Sequence, residues 1–297
     1  MLFETIIQYH IVFYHPSGAE DSRWDEDFNR ETEPASNSIN AILDLNLSEK
    51  GSLNLSANLQ FIPASISNIN GQTDIYGADG QLDSLYTTNG RRDNDQENLL
   101  LSAAYNTSIG EKGASLSAVA NYINYDDNQA QDLTTRYISN SGDLLNRNSF
   151  TTLAGQTSDI YTGKIDVSAP LGSFSLETGL KYAGVKSESG LDYYDTEGGS
   201  SFVSELSDTF DYDENIYAAY LSASKEWGKW SMKAGLRGEF TDIEGKTGSA
   251  GLVNKQEYFE LFPTFYLMYS KNENNSFSLE YSRRITRPRF QSLNPYR

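Results

Sequence analysis

The sequence predicts an all-β protein, and more narrowly an antiparallel transmembrane β-barrel. Two observations lead there: segments with one apolar face recur along the chain, and the connections between them alternate between short and long. In Ser52–Phe61, Leu, Leu, Ala, Leu and Phe occupy every second position, and Ser, Asn and Gln fill the others. This period of two residues is typical of a strand with one apolar and one polar face.

Eleven segments carry this pattern, and each is long enough to cross a bilayer as a tilted strand. The first, Met1–Tyr14, lacks the basic start of a signal peptide and carries Glu4, so we interpret it as a strand. The remaining predicted strands are Ile39–Ser48, Ser52–Phe61, Asn98–Thr107, Ala114–Tyr125, Tyr161–Ala169, Phe174–Tyr182, Asn215–Lys225, Trp230–Thr241, Tyr258–Ser270 and Phe277–Ile285.

The connections carry as much information as the strands. Short turns lie at Ser48–Gly51, Ser108–Gly113, Pro170–Ser173, Trp227–Trp230 and Lys271–Asn275. Long polar connections, which we expect to be loops, lie at His15–Asn37, Ile62–Gln96, Asp126–Thr157, Ser187–Asp213 and Asp242–Asn254. Strict alternation of this kind is the layout of an outer-membrane barrel, with short periplasmic turns and long extracellular loops. We therefore expect the outer membrane of a Gram-negative bacterium, with its lipid and lipopolysaccharide as the surroundings.

Composition excludes several functional classes. The chain of 297 residues has no cysteine and only two histidines, so thiolate sites and histidine-based catalysis have almost nothing to build on. A net charge of −18 argues against a nucleic-acid partner. We therefore expect neither an enzyme nor a bound cofactor. Aromatic residues near the strand ends, such as Tyr122, Tyr182 and Trp230, fit the interfacial girdles of a barrel.

Strand number suggests a partial barrel. Eleven strands are an odd number, whereas single-chain bacterial barrels close with an even one. An open sheet would also leave two edges unpaired in lipid. We therefore expect residues 1–297 to be part of a larger barrel domain, about half of it, with a plug domain and the C-terminal strands lying outside this sequence.

The last predicted strand and its exit carry the most specific pattern. Tyr281-Ser-Arg-Arg is followed by Arg-Pro, an aromatic residue and Leu-Asn-Pro-Tyr296. This segment resembles the TonB-dependent outer-membrane receptors, and most of all the barrel type common in Bacteroidetes. Phe210–Tyr220, Lys225–Phe240 and Glu260–Thr264 are similar as well. The motif residues are Arg284, Arg287, Pro288, Phe290, Leu293, Asn294 and Pro295.

The resemblance implies a barrel of about 22 strands, closed by a plug and engaged by the TonB complex through a region N-terminal to the barrel. It implies energised uptake of a nutrient, and leaves open whether the ligand is a small molecule, a peptide or a glycan. The alternative is a passive or structural outer-membrane barrel. A soluble adhesin conflicts with the alternating connections, and a membrane-embedded hydrolase has no group to activate a nucleophile.

Three groups of residues are candidate sites, each with a plainer interpretation beside it. Aromatic residues in the expected extracellular loops would stack on a ligand or simply pack together: Tyr193, Tyr194, Phe202, Phe210 and Tyr212. Charged residues on the polar face would line a substrate path or form an ion-paired wall: Lys164, Glu177, Lys181, Lys233, Arg237, Glu239 and Glu280. The carboxylates of Asp211, Asp213 and Glu214 would bind a metal ion or belong to a solvated acidic loop.

Overall fold

The fold is a single large antiparallel sheet, seen in a computed structural model that describes residues 3–18, 20–111, 113–249 and 251–286. Its strands are β1 (Phe3–Tyr14), β2 (Glu20–Glu33), β3 (Asn37–Asn46), β4 (Gly51–Gly77), β5 (Leu82–Ile109), β6 (Ala114–Ser139), β7 (Leu144–Leu171), β8 (Phe174–Asp195), β9 (Ser201–Phe202), β10 (Asp208–Trp227), β11 (Trp230–Thr247), β12 (Val253–Asn272) and β13 (Asn275–Ser282). One 3₁₀ turn, Ser204–Leu206, precedes β10. The all-β prediction is confirmed.

Strand order follows the chain. The sheet runs β1-β2-β4-β5-β6-β7-β8-β10-β11-β12-β13, with β3 paired to β4 and β9 paired to β8. All eleven predicted segments are strands, and the structure adds β2 and β9. Between the described residues of β1 and β13 no pairing closes the sheet. Among the described residues no helix is long and apolar enough to span a membrane.

Strand register confirms the two faces of the sheet. Leu180 of β8 lies opposite Ala219 of β10, and Leu221 lies opposite Leu236 of β11. Leu236 in turn lies opposite Pro263 of β12, so one apolar surface continues from strand to strand. Leu180, Leu221 and Leu236 are 62%, 56% and 50% exposed, which in water would be an unusually large apolar patch. In a bilayer this surface contacts lipid.

Aromatic pairs border the apolar surface at both ends. At one end the rings of Tyr122 and Tyr161 are 5.1 Å apart, and those of Tyr182 and Tyr217 are 5.2 Å apart. At the other end Trp230 and Tyr269 are 4.7 Å apart. These girdles mark the two membrane–water interfaces.

The prediction of long loops is wrong, because most of the residues in these connections continue the strands. β4 runs on to Gly77 and β5 starts at Leu82, so Ile62–Gln96 is a paired hairpin with a short tip. The same holds for Asp126–Thr157, whose tip lies between Ser139 and Leu144. Most side chains of the extensions are polar on both faces, so these segments lack the sustained apolar alternation that marks the spanning segments.

The N-terminal region also differs from the expectation. Among the described residues β1 pairs only with β2, and β2 pairs with the far half of β4, Ile66–Gly77. β3 pairs with the near half, Ser52–Phe61. Along β4, therefore, β2 and β3 follow one another, and Pro34 lies in the gap between them. β1 thus lies beside the extension above the girdle, and it is β3 that crosses the membrane next to β4.

Candidate functional site

The polar face of the spanning strands carries the main charged site. The structure places every charged residue predicted for this face on it: Lys164 on β7, Glu177 and Lys181 on β8, Lys233, Arg237 and Glu239 on β11, and Glu280 on β13. Facing is decided by the register, because successive side chains of a strand point to opposite faces. That this face lines a lumen stays a prediction.

Tyr220 of β10 stands at the centre of the site. Its hydroxyl donates a hydrogen bond to Asp166 of β7, and Lys164 Nζ is 2.7 Å from the same carboxylate. The guanidinium of Arg237 lies 5.2 Å from the centre of the Tyr220 ring, close enough for a cation–π contact. One aromatic side chain therefore connects charged groups on β7 and β11.

A glycine makes the contact between Tyr220 and Asp166 possible. Gly179 of β8 lies opposite both Asp166 and Tyr220. A Cβ atom on Gly179 would come within 2.5 Å of the Tyr220 Oη atom and within 2.6 Å of the Ile165 carbonyl oxygen. The tyrosine ring thus occupies the space that a side chain at position 179 would take.

Ion pairs account for most of the remaining charges. Arg237 Nε lies 2.5 Å from Glu239 Oε1, and the Glu239 side chain is only 12% exposed. Lys233 of β11 reaches across β10 to Glu177 of β8, with Nζ and Oε2 2.6 Å apart. Arg283 pairs with Glu260 and donates to the Leu261 carbonyl oxygen at 2.7 Å. The wall is therefore largely neutralised from within.

The family-motif residue Arg284 lines a cavity on this face beside β13. The cavity has a volume of about 440 Å³, and Lys233, Glu280 and Phe262 also line it. The other motif residues, Arg287, Pro288, Phe290, Leu293, Asn294 and Pro295, lie outside the described residues.

The five aromatic candidates do not form one surface. Phe210 and Tyr212 of β10 are 6% and 5% exposed, so they are buried. Tyr193 of β8 stacks on Phe150, with ring centres 5.0 Å apart. Tyr194 is the next residue on the strand and so faces the other side, where it contacts Phe202. For Phe210 and Tyr212 the structure favours the interpretation as packing residues.

The acidic candidates do not converge either. Asp211 and Asp213 share one face of β10, and Glu214 faces the opposite way because the segment is a strand. Asp213 accepts from Asn215, and Glu214 accepts from the Tyr212 hydroxyl at 3.1 Å. Within the part of the chain that the structure describes, no group of three or more His, Asp or Glu side chains is placed to hold a metal ion. The prediction of a metal site shared by these three carboxylates is therefore wrong.

Tyr193 and Lys255, both beyond the girdle, have shifted pKa values. Burial raises the pKa of Tyr193 above that of a free tyrosine, and the nearby Asp195 carboxylate adds to the effect. A hydrogen bond to Glu244 raises the pKa of Lys255, whose Nζ lies 2.6 Å from Oε2 of that residue. Lys255 is thus a stable cation on the outer surface of the β11–β12 hairpin.

Sequence reasoning missed Asp166, Tyr220, Gly179 and Arg283. Asp166 and Tyr220 occupy polar-face positions of their strands, so alternation alone places them on the charged wall. Their contact was not predictable, because it depends on which strands flank β8 and on the missing side chain at Gly179.

An antiparallel sheet with a continuous apolar face, two aromatic girdles and a charged polar face defines a membrane-spanning β-barrel protein. The sequence profile of the outer membrane protein beta-barrel family matches residues 107–297, and the chain belongs to that family. It is accordingly a protein of the Gram-negative outer membrane. No curated protein sequence matches the chain significantly.

Solved structures resemble the chain only weakly. The outer membrane protease OmpT from Escherichia coli aligns at 13% identity with a TM-score of 0.28, covering 94% of this chain and 93% of that one. The ferric citrate transporter FecA in its unliganded form aligns at 11% identity with a TM-score of 0.35, covering 80% of this chain and 42% of that one. The chain thus spans less than half the length of FecA.

Proposed function

We propose that the chain forms part of the barrel of an outer-membrane receptor that takes up a nutrient by TonB-dependent transport. The observation that carries the proposal is the charged wall on the polar face of β7, β8 and β10–β13. Small barrels fill their interior with packed side chains, whereas wide barrels enclose water or a plug. Ion pairs such as Lys233–Glu177 and Arg237–Glu239 suit a wet or polar interior.

The open edges support a larger barrel. Among the described residues the outer edges of β3 and β13 have no partner strand. In hydrocarbon each unsatisfied backbone group costs several kcal/mol, so both edges need further strands. A barrel of about 22 strands, with a plug and a TonB-engaging segment at its N-terminal side, meets that need.

A wall paired within itself suits contact with a plug that must move. Because most charges of the wall are already paired, the plug can leave the wall without exposing many unpaired ions. Tyr193 and Tyr194 at the far end of β8 remain candidates for ligand contact. Lipid and lipopolysaccharide would surround the apolar face. The proposal includes no catalytic step, because most charged groups of the wall are engaged in ion pairs rather than arranged around a nucleophile.

The test combines conductance with TonB binding. The full-length gene product, reconstituted in planar bilayers, should stay closed if a plug fills the lumen. It should also bind the purified periplasmic domain of TonB. A product that conducts freely and ignores TonB would be the passive barrel that is the alternative to this proposal. Conductance without TonB binding would reject energised transport.

A further inference from the structure

The polar face of the spanning strands continues above the girdle into the hairpin extensions. We call its continuation on β1, β2, β4, β5 and β6 the distal inner face. Register defines it: Thr32 of β2 lies opposite Ser67 of β4, and Ser67 lies opposite Arg92 of β5. Arg92 shares its side of β5 with Asn98 and Ser102 on the polar face of the spanning segment. The distal inner face therefore opens to the same side as the charged wall.

Two arginines on the distal inner face lack a partner. Arg30 is two residues before Thr32 on β2, so it points to the same side as Arg92. With strands about 4.8 Å apart and about 3.4 Å per residue, their Cα atoms are roughly 12 Å apart, within reach of one ligand. The Nε atoms of both are buried and have no hydrogen-bond partner among the described residues.

Arginines on the opposite face of the same strands have carboxylate neighbours, although Arg23 Nε, like the Nε atoms of Arg30 and Arg92, makes no hydrogen bond among the described residues. Arg23 of β2 lies 3.3 Å from Asp25, and Arg91 of β5 lies 3.1 Å from Asp93. Arg91 and Arg92 are adjacent, yet only Arg91 has an ion pair among the described residues. In a chain with a net charge of −18, carboxylates are plentiful, so an arginine held apart from them is unusual.

Acidic residues on the distal inner face do not neutralise the two arginines. Glu26 lies on the same side of β2 as Arg30, two residues before Phe28. It makes no ion pair with Arg30 in the described structure. Asp127 of β6 accepts a hydrogen bond from Asn94 at 3.0 Å. The positive charge of Arg30 and Arg92 is therefore available to a ligand.

Aromatic rings lie farther along the same face, about six residues or roughly 20 Å from the two arginines. Trp24 of β2 lies 6.1 Å from Tyr86 of β5, and Tyr86 stacks on Tyr137 of β6 at 5.9 Å. Phe13 of β1 extends this row at 5.4 Å from Trp24. Between the row and the arginines, Phe28 lies over Gly71, 3.6 Å from where a Cβ atom of that residue would stand. The rings of the row are mostly tilted or edge-on to one another, and Phe28, two residues from Arg30 on the same face, is the ring next to the cations.

We propose that the distal inner face binds an anionic ligand with a ring, holding its carboxylate or phosphate between Arg30 and Arg92 and its ring against Phe28. Arginine suits this role because its planar guanidinium binds carboxylate and phosphate oxygens through two parallel hydrogen bonds. Aromatic faces supply contact area for a ring. This inference rests on the proposed receptor function, whose ligand class it names.

The test measures binding to the full protein purified in detergent, by calorimetric titration. Benzoate and phenyl phosphate are the anionic probes, and benzamide is the neutral ring of the same size. We expect at least one anion to bind about tenfold or more tightly than benzamide, since charge-assisted pairs are the stronger ones. Preference between the two anions distinguishes a carboxylate ligand from a phosphate ligand.

Matched variants locate the site. R30Q/R92Q should weaken the preferred anion about tenfold or more and leave benzamide unchanged, whereas R23Q/R91Q should bind like the parent. Equal affinity for anion and benzamide, or equal loss in both double variants, would overturn the proposal. Binding uses no energy source, so a protein that binds the anion but ignores TonB would reject the receptor function and leave the site intact.

Discussion

The hydroxyl of Tyr220 on β10 donates a hydrogen bond to Asp166 on β7, although strand β8 runs between them. The ring can cross because position 179 of β8 is a glycine, whose missing side chain leaves the space that the ring occupies. A contact that skips a strand joins three strands laterally on the polar face. Lys164 and Arg237 then approach the same tyrosine from either side.

Gly179→Ala should destabilise the barrel by about 1–3 kcal/mol, because its Cβ would overlap the Tyr220 hydroxyl and the Ile165 carbonyl oxygen. Urea titration in detergent measures the change. Gly163→Ala on the neighbouring strand is the control, since a Cβ there has open space and should shift stability by less than about 0.5 kcal/mol. Equal effects of the two substitutions would mean that Tyr220 does not lie over Gly179.

Leu221→Arg should cost about 2–4 kcal/mol, because Leu221 lies on the apolar face near mid-bilayer, directly opposite Leu236. Ser222→Arg is the matched change one residue along, on the polar face. Ser222 donates to Glu177 at 3.1 Å, so a cation there meets a carboxylate and should be tolerated. Folding yields into lipid vesicles measure both. Similar losses would show that the two faces are assigned wrongly.

Arg237→Leu, at the next position after Leu236, is a less simple comparison. On facing alone it should be nearly neutral, because Arg237 lies on the polar face. It also pairs with Glu239, whose side chain is only 12% exposed, so removing the arginine takes a paired cation from a largely buried carboxylate. We therefore expect a loss of about 1–3 kcal/mol, which Arg237→Lys should partly restore in the same urea titration.

Topology can be tested with short peptide tags. A tag inserted after Gly80 or Gly142, at the tips of the long hairpins, should bind antibody on intact cells bearing the full-length protein. Tags after Gly172 or Gly228, in the short turns, should react only after the outer membrane is permeabilised. The reverse pattern would invert the orientation. Because the hairpins are paired almost to their tips, protease should cut at the tips alone.

Ser158→Ala should destabilise by about 1 kcal/mol, because it leaves the buried Ser187 hydroxyl without its partner at 2.7 Å. Adding Ser187→Ala should cost less than the sum of the two single changes. The pair Ser115–Ser168 has a similar distance of 2.8 Å but is exposed. Its alanine variants should have little effect and should add, since water replaces the lost partner.

Sequence reasoning reached the spanning strands and their facing, as Leu221, Leu236 and Lys233 illustrate. It missed the strand character of the extensions. On β2, Trp24 and Phe28 share one face with Glu26 and Arg30, and Arg23, Asp25 and Asp27 lie on the other, so the apolar alternation is too sparse to detect. Such a strand is held by backbone pairing with its neighbours, which no local pattern reports.

The candidate sites also had a predictable part and an unpredictable part. The charged wall was predictable because facing follows from the parity of each position along its strand. Which candidate residues come together was not predictable. Tyr193 and Tyr194 are adjacent in the sequence, yet they lie on opposite sides of β8. Asp211 and Glu214 are separated in the same manner on β10.

From the sequence alone follow the all-β class, the apolar surface and the alternation of turns with hairpins, because a period of two residues and the turn residues act locally. Only the tertiary structure decided that Tyr220 reaches Asp166 over Gly179. It also decided that Arg30 and Arg92 share one face, whereas Arg23 and Arg91 form ion pairs with Asp25 and Asp93 on the other. These contacts join positions far apart in the chain, and the register between strands sets them.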